Sequence, residues 1–197
     1  MLQELLELDT ELLLFLNGKG DPAWDHVWVY LSRTLSFITV PIFCLSLLLS
    51  YRLFEVKKMA LVVIIGVVLL LTTEYLSIFI KDIVQRPRPC YNPEINHILR
   101  IVPKYCGGNY GFFSAHAINS AAFATYFALL FRSYSKYVSG ILLIWAFLVS
   151  YSRIVLGVHY PLDVLTGMTL GMVLASIAYI LFNTIVLQRI ERPKGKY

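Results

Sequence analysis

Two long apolar runs constrain this chain more than any other feature of its sequence. Residues 59–80 contain one charged side chain, Glu74, and residues 164–187 contain none. A run of about 20 apolar residues matches the roughly 30 Å hydrocarbon core of a bilayer. The whole chain is 58% hydrophobic and 15% charged, whereas about a quarter of the residues in a soluble domain are charged. The sequence therefore predicts a membrane protein.

Three weaker apolar segments, residues 31–51, 114–131 and 138–155, add to the two strong runs. Apart from Ser and Thr, the polar or charged side chains that interrupt them are Arg33, His116, Asn119 and Arg153. The five segments together predict an all-α fold, a polytopic membrane helix bundle with about five transmembrane helices. Because the sequence contains no repeat and no low-complexity linker, residues 1–197 are predicted to form a single domain.

The first 18 residues have the pattern of a surface helix. Four acidic residues are interspersed with leucines there, and Leu5, Leu8 and Leu12 share one helical face. This pattern predicts an amphipathic helix over residues 1–18 that lies in the membrane interface. The alternative is an extension docked on the helix bundle.

One long connection, residues 81–113, is rich in proline and glycine and is predicted to be a loop. Long loops in compact proteins are often functional.

The positions of Lys and Arg predict which side of the membrane this loop faces. Nine of these residues lie in the two short connections and the C-terminal tail, and eight lie on the opposite side. Three of the eight are candidate substrate ligands, and without them the balance is nine against five.

This balance predicts a cytoplasmic tail and a long loop that faces outward. We therefore expect a multi-pass protein of the cell (inner) membrane, with its functional site facing the periplasm or the exterior. The net charge of +5 is then explained by topology and by an anionic substrate. No nucleic acid partner and no obligate protein partner is expected.

Three clusters of polar residues map to the outward ends of the predicted helices. They are residues 81–89, 113–116 and 152–163. Their cations Lys81, Arg88 and Arg153 suit phosphate, because the planar fork of arginine matches phosphate oxygens. Ser114 is a favourable residue to begin a helix, and a helix N-terminus attracts anions. The clusters together predict a phosphate-binding site.

Two histidines and an aspartate complete this predicted site. His159 and Asp163 are four residues apart across a proline that is suited to the first turn of a helix. Asp163 is expected to accept from one ring nitrogen of His159, which makes the other nitrogen a better nucleophile. His116 is then available to protonate the leaving oxygen. The set predicts phosphoryl transfer through a phosphohistidine intermediate.

These clusters resemble the motifs of the type 2 phosphatidic acid phosphatase family, which is related to bacterial acid phosphatases and vanadium haloperoxidases. Residues 81–89 and 152–163 match the first and third motifs of the family, and Ser114 and His116 match the second. The second motif departs at Phe113 and Ala115, where the family has proline and glycine. The resemblance implies the same roles for His159, Asp163 and His116, with phosphate bound by Lys81, Arg88, Ser114 and Arg153.

The resemblance also implies an enzyme, a lipid phosphatase acting on a phosphomonoester or diphosphate. No carboxylate cluster has metal-ligand spacing, so we expect neither a metal nor another cofactor. Undecaprenyl diphosphate is the favoured substrate, with lipid A and phosphatidylglycerol phosphate as alternatives. A lipid phosphotransferase is a second enzymatic alternative. The alternative of a different class is a non-catalytic bundle that binds or transports anionic lipid, which would not need a His–Asp nucleophile.

Cysteine positions give a final prediction. Cys90 and Cys106 lie at the two ends of the long loop, whereas Cys44 lies in the first apolar segment. If the loop faces an oxidising compartment, Cys90 and Cys106 are candidates for a disulfide. The alternative is two free thiols in a cytoplasmic loop.

Overall fold

Seven α-helices make up the part of the chain that the computed structural model describes, which is residues 1–33, 36–102 and 106–186. The helices are α1 (Leu2–Gly18), α2 (Asp25–Ser32), α3 (Thr39–Leu53), α4 (Val56–Val84), α5 (Ala115–Phe131), α6 (Lys136–Val155) and α7 (Pro161–Ile185). Short 3-10 turns occupy Pro22–Trp24 and Pro89–Tyr91. The described ranges contain no β-strand, so the predicted all-α fold is confirmed.

Five of these helices are apolar, as predicted. Helices α4, α6 and α7 are long and apolar enough to cross a membrane, while α3 and α5 are apolar but shorter. The chain is therefore an integral membrane protein. Residue 187, the last of the fifth predicted segment, and the basic C-terminal tail lie outside the described residues.

The boundary of the first predicted segment was wrong. The sequence predicted one helix over residues 31–51, but α2 ends at Ser32 and α3 begins at Thr39. Arg33 has extended dihedral angles, which stops α2. The Ser36 hydroxyl then accepts a hydrogen bond from the Thr39 backbone N–H at 3.0 Å, at the start of α3. A short polar interruption thus divides a stretch that is apolar on average.

Helix α5 is the centre of the bundle. Most of its residues are buried, and it packs against α4, α6 and α7. Its contact with α7 is close because α7 presents glycines: a Cβ atom on Gly167 would lie 2.8 Å from the Ser114 carbonyl oxygen. Small residues allow membrane helices to approach in this way. The packing brings the N-terminal ends of α5 and α7 together.

Helix α1 is docked on the bundle through one face. Asp9, Leu13 and Asn17, spaced four apart, are all buried. The Asn17 amide donates to the carbonyl oxygens of Val155 (2.8 Å) and Arg100 (2.9 Å), which ties α1 to the end of α6 and to the long loop. The leucines Leu2, Leu5, Leu8 and Leu12 are exposed. The docked alternative thus describes Asp9, Leu13 and Asn17, and the predicted interfacial location concerns the exposed leucines.

Candidate active site

The candidate nucleophile, His159, lies in the short connection between α6 and α7. Gly157 has φ of +74°, and a Cβ there would lie 2.7 Å from the Arg100 carbonyl oxygen. Glycine is therefore required to end α6 and reverse the chain. The reversed backbone donates from the His159 N–H to the Arg153 carbonyl at 3.3 Å. Helix α7 begins at Pro161, as predicted. This turn places His159 beside the end of α6 and leaves it 1% exposed.

The contacts of the His159 ring define its tautomer. Nε2 lies 3.2 Å from Arg88 Nη1. A guanidinium can only donate, so Nε2 is the acceptor and the neutral ring carries its proton on Nδ1. Nδ1 in turn faces Asp163 Oδ2 at 3.4 Å. That separation exceeds an ordinary hydrogen bond, and such contacts often tighten only when substrate binds. Nε2 is thus the ring atom with a lone pair for attack.

The position of Asp163 is fixed by two other donors. Its Oδ2 accepts from the Tyr160 backbone N–H at 3.0 Å, and its Oδ1 accepts from Arg86 Nη1 at 2.9 Å. The carboxylate is fully buried in the first turn of α7. A backbone contact and an ion pair therefore hold Asp163 against the ring of His159.

The structure brings the three cations named in the sequence analysis, Lys81, Arg88 and Arg153, near the histidine. Lys81 lies in the last turn of α4, where its Nζ donates to Ser77 Oγ at 2.9 Å. Arg153 lies in the last turn of α6, and its Nε is buried without a hydrogen-bond partner among the described residues. The guanidinium of Arg88 contacts the His159 ring directly. A buried donor without a partner is costly unless a ligand satisfies it, so this cluster is suited to an anion.

The electrostatic environment of His159 favours its neutral form. Burial lowers the pKa of His159 well below its ordinary value of 6.5, and the positive charges of Arg88, Arg153 and Lys81 lower it further. Desolvation and like charge both disfavour an imidazolium. His159 is therefore unprotonated at neutral pH, as a nucleophile must be.

The long loop is folded so that it delivers Arg88 to this cluster. Pro87 pairs with Tyr110 in an isolated antiparallel bridge, and the Arg88 N–H donates to the Asn109 carbonyl at 3.1 Å. The bridge brings Gly111 against the His–Asp pair, where an added Cβ would lie 3.1 Å from Asp163 Oδ2. Glycine is thus needed for the close approach of the loop. Both ends of the loop contribute to one wall of the site.

The second motif lies at the start of α5. Ser114 precedes the first helical residue, as predicted, but its side chain does not cap the helix. Its hydroxyl is buried and has no hydrogen-bond partner among the described residues, which leaves it for a ligand. Ala115 is the first residue of α5, and φ is not positive there. The replacement of glycine by alanine is therefore compatible with the backbone. His116 follows on the same turn, within electrostatic range of His159, Arg153, Arg88 and Lys81.

Two residues of the site were missed by the sequence analysis. Arg86 bridges two carboxylates, because its Nη2 donates to Asp9 Oδ2 at 2.7 Å and its Nη1 donates to Asp163. Asp9 Oδ1 also accepts from the Leu162 backbone N–H at 2.8 Å. The guanidinium lies 3.9 Å from the ring centroid of Tyr160. Helix α1 thus contributes a buried carboxylate to the support of the His–Asp pair.

A signal for Asp9 was present in the sequence. Asp9, Leu13 and Asn17 recur every four residues and therefore share one face of the helix. Burial raises the pKa of Asp9, while the hydrogen bonds from Arg86 and from the Leu162 backbone oppose this change. A carboxylate buried in this way requires a charged partner, and Arg86 supplies it.

Cys90 and Cys106 are adjacent, with their sulfur atoms at bonding distance and their Cα atoms 6.4 Å apart. This Cα separation falls in the range of roughly 4.4–6.8 Å that a disulfide requires. Cys44 lies apart from them and is exposed. The geometry is compatible with the predicted bridge, which stays a prediction until the thiols are measured.

Within residues 1–33, 36–102 and 106–186, no group of three or more His, Cys, Asp or Glu side chains is arranged to hold a metal ion. The charged atoms around His159 are instead the three cations, together with the paired Asp163 and Arg86. The donor set thus suits an anion. Independence from metal stays a prediction.

The chain is similar to known proteins over most of its length. Residues 59–186 match the model of the PAP2 superfamily. The chain is 36% identical to a lipid A 4'-phosphatase of Bacteroides thetaiotaomicron, over 87% of this chain and 75% of that protein. It is 30% identical to a lipid A 4'-phosphatase of Porphyromonas gingivalis, over 90% of this chain and 74% of that protein.

More distant proteins also match this chain. An undecaprenyl-diphosphatase of Sulfolobus acidocaldarius is 26% identical, over 96% of this chain and 86% of that protein. The crystal structure of a transmembrane PAP2-type phosphatidylglycerolphosphate phosphatase from Bacillus subtilis superposes with a TM-score of 0.70 at 20% identity, covering 96% of this chain and 90% of that one. Because the family model matches well over half of the chain and includes all three motifs, the chain belongs to the PAP2 superfamily.

Proposed function

We propose that this protein is a membrane lipid phosphatase that removes the 4'-phosphate from lipid A or a closely related glycolipid. The observation that carries the chemistry is the contact between His159 Nε2 and Arg88 Nη1 at 3.2 Å, in a ring that faces Asp163 on its other side. A binding or transport site for anionic lipid needs the cations, but it does not need a buried neutral imidazole with its lone pair among them.

The reaction follows from these positions. The Nε2 lone pair of His159 attacks phosphorus, and the bond from phosphorus to the leaving oxygen breaks. His116 gives a proton to that oxygen, so the lipid leaves as an alcohol. Asp163 stabilises the positive charge that develops on the His159 ring. Water, deprotonated by His116, then attacks the phosphohistidine, the P–N bond breaks, and inorganic phosphate leaves.

The phosphoryl oxygens have donors in this scheme. Arg88 and Arg153 supply guanidinium N–H groups, Lys81 supplies an ammonium, and Ser114 supplies a hydroxyl. Two of these groups, Ser114 Oγ and Arg153 Nε, are buried without partners among the described residues. Donors that are fixed before the substrate arrives stabilise the charge that develops in the transition state. No step requires a metal ion, and we propose that none takes part.

Lipid A is better supported as the substrate than undecaprenyl diphosphate, which the sequence alone had favoured. The two relatives that share 36% and 30% identity are both lipid A 4'-phosphatases. The relative that acts on undecaprenyl diphosphate shares 26%. The alternative from the sequence analysis thus replaces its first choice.

We also propose that the site faces the periplasm or the exterior. The site lies at the C-terminal ends of α4 and α6 and the N-terminal ends of α5 and α7, all on one side of the bundle. Apart from the three candidate phosphate ligands, the sequence has five cations on this side. Two of them form ion pairs, Arg86 with Asp9 and Arg100 with Asp25. The nine cations of the opposite side, which include those of the C-terminal tail, favour the cytoplasm for that side.

Phosphate release from purified protein in detergent tests the proposal. The substrates are lipid A carrying a 4'-phosphate, phosphatidylglycerol phosphate and undecaprenyl diphosphate, each with and without EDTA. We expect the highest kcat/KM with lipid A, no effect of EDTA, and almost no activity in His159→Ala. Release from undecaprenyl diphosphate alone would contradict the substrate. Loss of activity in EDTA that Mg²⁺ restores would contradict the metal-free mechanism.

A further inference from the structure

A cavity of about 320 Å³ opens beside His116, between α3, α4, α5 and α6. This volume is at the lower end of the roughly 300–1,000 Å³ of small-molecule sites. Its walls are largely apolar, with Phe43, Leu70 and Val149 among them. The polar side chains Glu74 and Asn119 lie in the same cavity as His116. The cavity therefore joins an apolar cleft to the residue that protonates the leaving oxygen.

The polar atoms of this cavity are incompletely paired. Asn119 Nδ2 donates to Glu74 Oε2 at 2.5 Å, while Asn119 Oδ1 is buried and has no partner in the described structure. Trp145, which is 6% exposed, also lines the cavity, and its Nε1 is buried without a partner in the same residues. A buried acceptor and a buried donor thus lie in one cavity. Buried polar groups normally find partners, so this cavity is suited to a ligand that offers both.

The position of the cavity indicates which part of the substrate it receives. In the reaction proposed above, His116 protonates the oxygen that leaves phosphorus. The atoms bonded to that oxygen must then lie on the His116 side of the phosphate. Asn119 follows His116 by three residues on α5, which places it one turn further along the same face. Glu74 reaches it from α4. These two side chains therefore lie next to the first atoms of the leaving group.

We propose that this cavity is a subsite for a hydroxyl-bearing leaving group whose atoms next to the reacting phosphate are uncharged, such as a sugar or polyol. The inference rests on the proposed function and deepens it. A hydroxyl both donates and accepts, so it satisfies the Glu74 carboxylate, the Asn119 carbonyl and the Trp145 indole N–H together. An alkyl chain offers none of these bonds. A leaving group that is itself a phosphate, as in a polyprenyl diphosphate, brings a second negative charge beside Glu74 and is disfavoured.

The test compares leaving groups in one assay. The purified full chain is given lipid A with a 4'-phosphate, phosphatidylglycerol phosphate, a polyprenyl diphosphate and a long-chain alkyl phosphate without hydroxyls. The variants are Asn119→Ala and Glu74→Gln. The matched control is Thr72→Ala, an exposed change two residues from Glu74 on the same helix. Turnover of the alkyl phosphate reports that each variant is folded and has an intact phosphate site.

We expect Asn119→Ala to lower kcat/KM for the hydroxyl-bearing substrates about tenfold more than for the alkyl phosphate, the effect of roughly one lost hydrogen bond in a buried site. Glu74→Gln removes the negative charge but keeps the shape. It should therefore raise kcat/KM for the polyprenyl diphosphate relative to lipid A, also by about tenfold. Thr72→Ala should leave all four values close to those of the wild type.

The outcomes separate the two proposals. If the wild type releases no phosphate from lipid A, the proposed substrate is wrong. The comparison of kcat/KM for phosphatidylglycerol phosphate with that for the alkyl phosphate still tests the subsite. If Asn119→Ala lowers all four substrates equally, its role is structural and the subsite is refuted. Arg33 also lines the cavity. The wild type could instead prefer the polyprenyl diphosphate, and Glu74→Gln could leave that preference unchanged. Arg33, and not Glu74, would then set the charge of the cavity, and the inference would be refuted.

Discussion

The salt bridge between helix α1 and the active site gives a specific prediction. In Asp9→Asn, the amide oxygen can still accept from the Leu162 N–H, but the amide NH₂ then faces the guanidinium of Arg86. Since both groups only donate, the contact that now measures 2.7 Å is lost. The side chains of Arg86 and Asp9 are 16% and 1% exposed, so water can replace little of the lost interaction. A hydrogen bond between charged groups contributes about 1.5–3 kcal/mol, which is a factor of roughly 10–150 in an equilibrium.

The expected result is a fall in kcat of at least about tenfold, because Arg86 then holds Asp163, and through it His159, less rigidly. KM should stay within about twofold, because Asp9 does not contact the predicted phosphate site. Initial rates over a substrate series in detergent measure both constants. The control is Glu11→Gln, the same chemical change at an exposed position of the same helix, and it should have no effect.

A double-mutant cycle distinguishes positioning from general destabilisation. If Asp9 acts through Arg86 and Asp163, then Asp9→Asn added to Asp163→Asn should cause almost no further loss. Independent, additive losses would mean that Asp9 affects the enzyme by another route. A wild-type kcat in Asp9→Asn, in protein shown to be folded by thermal melting, would refute the reasoning outright.

Three further predictions concern pH, packing and the cysteines. Because the pKa of His159 is lowered, the acid limb of kcat/KM should lie well below pH 6.5 once the substrate's own ionisation is measured separately; a midpoint near 6.5 would contradict this. Gly167→Ala places a Cβ 2.8 Å from the backbone carbonyl of Ser114, just before α5, and should destabilise by about 1–3 kcal/mol in thermal melting, whereas Gly140→Ala, with open space around it, should not. Thiol labelling of denatured, unreduced protein should find one reactive cysteine, and three would exclude the bridge between Cys90 and Cys106.

Local sequence pattern was sufficient for much of this fold. Apolar runs such as residues 59–80 predict membrane helices because no other common environment accepts them. Successive helices cross the membrane in opposite directions, so the three polar clusters can be placed on one side without knowledge of the tertiary contacts. Gly157 and Pro161 fix the turn around His159 through backbone chemistry that is local to a few residues.

The features that were missed depend on contacts between distant segments. The split of residues 31–51 follows from a few polar atoms near Ser36, which an average over an apolar window conceals. The ion pair of Asp9 with Arg86 joins residues 77 positions apart, and in the sequence each of them resembles an ordinary surface charge. Glu74 has its partner on another helix, Asn119.

The covalent intermediate on His159 is the central claim, and it can be trapped. Purified protein is mixed for a short time with substrate labelled in the phosphoryl group, quenched in base to preserve phosphohistidine, digested and mapped by mass spectrometry. We expect acid-labile phosphate on His159 and no label in His159→Ala. With a substrate whose leaving group needs no proton, we expect more label in His116→Ala than in the wild type, because the second step then lacks its base. Full turnover by His159→Ala, or label on a different residue, would contradict the account.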